Sequence, residues 1–238
     1  MKFSTIFKIS PHWAFRFLKK RAGHLASFIV ARARGRRTYR VEIESISIDL
    51  CFFSPYHHAR AEAMANGTWE EYPLLPMWIA KARESTLTFD VGGYNGIYGL
   101  LAARSNPDGT VYIFEPDLES FRHITRNVEL NRLQNVHVVG KAVSDTDGTV
   151  MFAGDGSTGS RIATWGTPVP SVRLASFGSP DLLKVDVEGH ETEVLRGADL
   201  LRTRTLFIEV NTPATKAFLT RYREVYASGL NHVYMLAP

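Results

Sequence analysis

The chain has 238 residues, 45% hydrophobic and 22% charged, enough for one α/β domain with a true core and too apolar for a disordered chain. Its net charge of +4 hides an asymmetry: residues 1–40 hold 11 Lys or Arg and no acid, which leaves residues 41–238 at −7 and disfavours nucleic acid as a partner. A single cysteine, Cys51, excludes an intrachain disulfide and fits a cytoplasmic protein, and no run approaches eighteen uncharged apolar residues, so no membrane span is expected.

Residues 1–40 interleave Phe, Trp, Leu and Ile with Lys and Arg, and Lys8, Arg16 and Lys19–Arg21 interrupt any signal-peptide core. Two readings follow: an interfacial helix making peripheral contact with anionic lipid, or a partly helical extension packed on its own domain or a twin subunit. Residues 41–84 form a cap segment, with a strand over 41–50, a helix over 54–67 ended by Gly67, and a helix starting near Pro76. Residues 85–238 form the main domain. Strands are expected over 86–91, 109–116, 135–143, 149–152, 182–189, 205–210 and 232–237. Helices are expected after Gly96 and over 117–131, 190–201 and 214–228. Strands alternating with helices predict a Rossmann-like, doubly wound, mostly parallel sheet of six or seven strands, with its ligand beyond the carboxyl strand ends.

The stretch "FDVGGYNGIYG" (89–99) is a glycine turn between a strand and a helix. Gly92, Gly93, Gly96 and Gly99 give G-G-x-x-G-x-x-G, which departs from the dinucleotide fingerprint. Asp90 stands two residues before the turn, where a carboxylate would repel a pyrophosphate and suit a cationic or zwitterionic ligand. S-adenosylmethionine, with a sulfonium, an ammonium and no phosphate, fits that requirement. Glu115 ends the next strand, 25 residues on, where an acid can accept hydrogen bonds from ribose hydroxyls. Asp186, Glu188 and His190 in "VDVEGHE" border the same crevice and offer a base and an acid. They could also ligate a metal, but so contiguous a set rarely converges on one ion, so no catalytic metal is expected.

Together, "FDVGGYNGIYGLLAA", "VYIFEPD", "NVHVVGKAVSDTDGTVMF" and "DLLKVDVEGHETEVLRGA" resemble the FkbM-type branch of the class I S-adenosylmethionine-dependent methyltransferases, over residues 85 to 210. The resemblance implies O-methylation of a sugar, glycolipid or other small-molecule hydroxyl. It implies that the turn from Asp90 through Gly92, Gly93, Asn95 and Gly96 holds the methionine part. It further implies that Glu115 takes the ribose and that Ala142, Val143 and Asp145 border the adenine. Two departures stand out: Tyr94 occupies a position where the family commonly has Asn, with Asn95 as a substitute, and one strand is read after "FIEV" where the family has two.

For the hydroxyl proton the candidate base is His190, with Asp186 or Glu188 orienting or replacing it, and His57 and His58 as alternatives approaching from the cap. A non-catalytic adaptor and a nicotinamide-dependent oxidoreductase are the rival classes, the second disfavoured by the broken fingerprint.

Overall fold

The computed structural model describes residues 11–35, 37–154, 159–209 and 212–237. Helix α1 (Pro11–Ala33) leads into the hairpin β1 (Thr38–Ile43) and β2 (Ile46–Cys51), followed by α2 (Pro55–Ala65) and α3 (Leu75–Ala82). The sheet then begins with β3 (Leu87–Val91), α4 (Ile97–Ser105), β4 (Thr110–Phe114), α5 (Leu118–Leu130) and β5 (Val136–Val139). A second sheet is inserted, made of β6 (Ala142–Val143), β7 (Gly148–Ala153), β8 (Arg161–Ile162) and β9 (Thr167–Val172). The chain returns through β10 (Leu182–Val185), α6 (Glu191–Arg196), β11 (Thr205–Glu209), α7 (Pro213–Ala217), β12 (Tyr222–Ser228) and β13 (Asn231–Leu236).

The main sheet has seven strands in the order β12-β13-β11-β10-β3-β4-β5. Strands β11, β10, β3, β4 and β5 run parallel, and β13 and β12 close the edge antiparallel. Period-2 alternation sends successive side chains to two cores. Phe89, Val91, Phe114, Leu183, Val185, Leu206 and Ile208 point to one, with Val194 and Leu195 of α6. Val111, Ile113, Leu182 and Phe207 point to the other, where α4 and the whole cap from Val41 to Ala82 pack. Trp78 is fully buried there, edge-on to both Tyr98 and Phe207, and its indole N–H donates to the Tyr98 carbonyl at 2.8 Å.

Local chemistry sets several starts. Ser54 caps α2 ahead of Pro55, Asp117 caps α5 through the Ser120 N–H at 2.9 Å, and Thr212 caps α7. The structure corrects four expectations. The 41–50 strand is a hairpin that turns at Glu44 and Ser45, with Glu44 at φ 53°. The 135–143 strand divides between two sheets. The 214–228 helix stops at Ala217, and Tyr222–Ser228 is instead a strand paired with β13 across a turn at Gly229, φ 62°. Two strands therefore follow "FIEV", and the sheet is complete.

Helix α1 lies against α2 and the hairpin: Ser27 Oγ donates to Glu62 at 3.3 Å, Phe28 meets Phe52 and His58 edge-on, and Arg21 sits over the Tyr56 ring. Leu25, Ile29 and Val30 are exposed on the same helix. No described helix is long and apolar enough to cross a membrane.

Candidate active site

Asp90, Glu115, Lys184, Asp186 and Glu209 come from four adjacent strands. In each strand, parity puts the residue on the face opposite Phe89, Phe114, Val185 and Ile208, the face the cap covers. Lys184 and Asp90 are directly paired in register. Beyond these strand ends opens a cleft of about 1110 Å³, counting space open to solvent. The glycine turn, Glu115, the carboxyl ends of β10 and β11, and Arg60, Met64, Trp69 and Glu71 of the cap form its walls.

The turn is built by backbone approach. Gly92 has φ +81°, and a Cβ there would lie 1.8 Å from the Asp186 carbonyl oxygen. Gly96, φ 84°, occupies the N-cap position of α4. Asp90 lies beneath the turn rather than in the cleft wall. Its Oδ2 accepts from the Gly99 N–H at 2.9 Å, and its buried Oδ1 has no partner among the described residues. Burial raises its pKa. Tyr94, at φ 52°, stacks on His57 at 4.7 Å, while Asn95 turns inward and donates to Met64 Sδ at 3.3 Å.

Glu115 accepts one backbone N–H on each oxygen, from Tyr94 and from Asp117, both at 2.8 Å. Each oxygen keeps lone-pair capacity for a ribose hydroxyl. Burial pushes this carboxyl up to about 7 despite the two N–H donors. Ala142 and Val143 line the cleft with Phe152 and Ile162 of the inserted sheet, an apolar slot suited to a purine ring. Asp145 stands outside it, bonded to Arg196 at 3.2 Å and Ser144 at 3.3 Å, and the Arg196 hydrogen bond lowers its pKa. The residues present thus fit S-adenosylmethionine: a bare-backbone turn, a carboxylate with free acceptor capacity and an apolar slot line one cleft.

On the other side, over β10 and β11, four carboxylates gather. Lys184 Nζ donates to Asp186 at 2.9 Å and lies 4.7 Å from the Tyr98 ring centroid, and Tyr98 donates its hydroxyl to Glu71 at 2.9 Å. Burial opposes the Lys184 charge, but Asp186, Asp90 and Glu71 outweigh it and hold the ammonium protonated. Glu209 is pushed up to about 7, first by burial and then by Asp186 and Glu188. Glu71 and Glu188 are raised as well, each chiefly by burial.

His190 is not brought into the cleft wall. It lies behind the β10 loop, with Nε2 3.0 Å from Ser144 Oγ and Nδ1 3.6 Å from Glu193. Burial lowers its pKa despite the nearby acids. His57 and His58 are buried in the cap and also stand off the cleft. His57 stacks on His123 at 3.6 Å, and its pKa falls to about 3 through burial and His123. Glu71, Lys184 and Glu209, which sequence reasoning missed, are in the wall. Lys184 and Glu209 were legible as polar residues at strand ends on the Asp90 and Asp186 parity; Glu71 carried no such signal. Among the described residues, His57, Glu119 and His123 are close enough to share an ion. The two rings are stacked within 6°, so no single ion can lie in both planes, and both His123 nitrogens are engaged by the Glu119 carbonyl and the Phe53 N–H.

"Methyltransferase 1" of Beauveria bassiana is 27% identical over 153 residues, covering 51% of this chain and 61% of that protein. "Hexuronic acid methyltransferase AglP" of Haloferax volcanii is 27% identical over 139 residues, covering 53% and 56%. The chain thus spans about three-fifths of the length of these curated relatives. A solved S-adenosylmethionine-dependent methyltransferase from Agrobacterium tumefaciens superposes with a TM-score of 0.49 at 9% identity, over 85% of this chain and 70% of that one. The methyltransferase FkbM domain model matches residues 90–233, from the buried aspartate of the turn to the last core strand, and the chain belongs to that family of methyltransferases.

Proposed function

We propose that the protein transfers a methyl group from S-adenosylmethionine to a hydroxyl oxygen of a sugar or other small polyhydroxylated acceptor. The observation that carries this reading is the division of one cleft. A nucleoside-fitting half lies over β3 and β4, and a carboxylate-rich half lies over β10 and β11. Similarity to the hexuronic acid methyltransferase of Haloferax volcanii supports a sugar as acceptor. In the first half Glu115 would hold the ribose, the turn from Gly92 to Gly96 the methionine part, and Ala142, Val143, Phe152 and Ile162 the adenine. The cofactor supplies an electrophilic methyl group on a sulfonium.

The chain's own task is to align the acceptor oxygen and remove its proton. Glu209 is the proposed base. It ends β11 in the cleft wall, and a carboxyl titrating near 7 is matched to proton abstraction at neutral pH. Asp186, fixed by Lys184, is the proposed orienting group for the hydroxyl. A base works deprotonated, so the single-turnover rate rises with pH through about 7 and then levels. Glu209→Gln should remove that limb and lower the rate about 10²–10⁴-fold with cofactor affinity retained. An unchanged rate and profile in Glu209→Gln would move the role to Asp186 or Glu188, the other acids of that wall. We also propose that α1 makes peripheral contact with anionic membrane, supported by exposed Leu25, Ile29 and Val30 on a basic segment.

A further inference from the structure

Helix α2 lays one face against the glycine turn. His57 stacks on Tyr94 with ring centroids 4.7 Å apart and an interplanar angle of 12°, and Met64 Sδ accepts from Asn95 Nδ2 at 3.3 Å. Arg60 is three residues after His57 and four before Met64, so it shares their helix face and falls between these two contacts. It lies in the cleft wall with Met64, Tyr94 and Asn95, and its guanidinium stands 5.5 Å from the Trp69 ring centroid. Burial raises the pKa of the Tyr94 hydroxyl, and Arg60 acts on that hydroxyl more strongly than any other charge. The helix thus sets a cation beside the turn. The other cations of the wall, among the described residues, are Lys141 and Lys184. Lys184 is buried and donates to Asp186 at 2.9 Å, with Asp90 and Glu71 also acting on it, so a ligand carboxylate there would meet all of these acids. Lys141 directly precedes Ala142 and Val143, in the slot proposed for adenine. Arg60 has acids of its own nearby: Glu70 at 3.5 Å, with its side chain 75% exposed, and Glu71, whose Oε2 takes the Tyr98 hydroxyl. An exposed ion pair is screened by water, and a guanidinium carries five N–H donors in a planar fork, so Arg60 can serve a further carboxylate.

We propose that Arg60 receives the carboxylate of the methionine part of S-adenosylmethionine, so that the cap supplies one end of the cofactor site and the sheet supplies the other. This rests on the reading that the turn from Gly92 to Gly96 takes the methionine part. A carboxylate matches the guanidinium fork, and hydrogen bonds between two charged groups are roughly twice as strong as neutral ones. Through His57 and Met64 the same helix face also holds the turn, so the cation and the backbone that meet the methionine part move as one unit.

The test compares S-adenosylhomocysteine with its decarboxylated analogue, which keeps the amine, and with 5′-methylthioadenosine, which lacks both groups. Binding to the full chain is measured by calorimetry at neutral pH and fixed salt. The wild-type chain should bind S-adenosylhomocysteine about tenfold or more tightly than the decarboxylated analogue. Arg60→Met should weaken S-adenosylhomocysteine about 10–100-fold and leave the other two ligands within about twofold of their wild-type affinities. Arg60→Lys should give an intermediate loss for S-adenosylhomocysteine alone, and it decides the matter if Arg60→Met does not fold. Equal weakening of all the ligands would mean that the cleft has lost its shape rather than a carboxylate partner, and overturns the proposal. A variant that prefers S-adenosylhomocysteine over the analogue as strongly as the wild type does also overturns it, and moves the carboxylate to Lys184 or to the backbone N–H groups of the turn. In that case the reading of the turn stands. Equal binding of all the ligands by the wild-type chain would overturn the reading of the turn, and the proposal with it.

Discussion

Glu115 is held in place by two backbone N–H donors that come from the loops on either side of it, one from the turn and one from the start of α5. That arrangement makes the carboxylate a fixed acceptor rather than a mobile one, and its removal should be felt mainly in the cofactor. Glu115→Ala is expected to weaken S-adenosylmethionine binding by about 1–3 kcal/mol, measured by calorimetry. Unchanged affinity would exclude Glu115 as the ribose acceptor. Asp90 and Glu115 were legible as acids at parallel strand ends next to a glycine turn; the structure puts Glu115 in the cleft wall and Asp90 beneath the turn. His190 carried a similar signal, yet the loop after β10 swings it toward Ser144. Sequence spacing cannot report that turn, because Glu188 at φ 55° and Gly189 at φ 104° set its direction.

At the scale of single elements, the β3–α4 turn depends on one glycine more than on its neighbours. Gly92→Ala would place a methyl group against the Asp186 carbonyl in a backbone conformation that L residues rarely adopt. The variant should lose roughly 2–4 kcal/mol of stability by urea denaturation, and cofactor binding with it. A variant of wild-type stability would mean that the turn and the β10 loop separate easily. Helix α1 is a second case. One side docks on α2 through Ser27 and Phe28, and Leu25, Ile29 and Val30 remain exposed. Leu25→Glu with Ile29→Glu should abolish sedimentation with anionic vesicles at low salt while cofactor binding persists. If the wild-type chain ignores such vesicles, the exposed face has another role. The C-terminal hairpin shows how an element can be misread. Phe218, Tyr222 and Val225 fall at helical spacing, but the exposed edge of β11 offers β13, and then β12, a ladder of backbone hydrogen bonds. Pairing partners distant in sequence outweigh local periodicity.

For the whole molecule, the cap and the sheet share one core, and Trp78 is its hinge pin, touching α4 and β11 at once. Trp78→Ala should cost about 3–5 kcal/mol. Because the core is continuous, far-UV circular dichroism and tryptophan fluorescence should report a single coincident transition in the wild-type chain. Two separated transitions would show that residues 41–84 fold as a unit of their own. The same continuity places Arg60, Trp69 and Glu71 over the cleft, so the cap helps to form the cleft as well as to stabilise the sheet.

The sequence by itself determined the alternation of strands and helices, the glycine turn with its buried aspartate, and the strand-end glutamate. Each is a local pattern: period-2 burial, a backbone that must bend closely, a charge at the edge of an apolar run. Tertiary structure alone decided which charges face each other. Asp186 and Glu209 lie on strands separated by a helix, and Glu71 arrives from the cap over a hundred residues earlier, so no spacing encodes their meeting. The order of strands in the sheet brings them together. That order results from burying two apolar faces at once, a condition that depends on the whole chain and on no single segment of it.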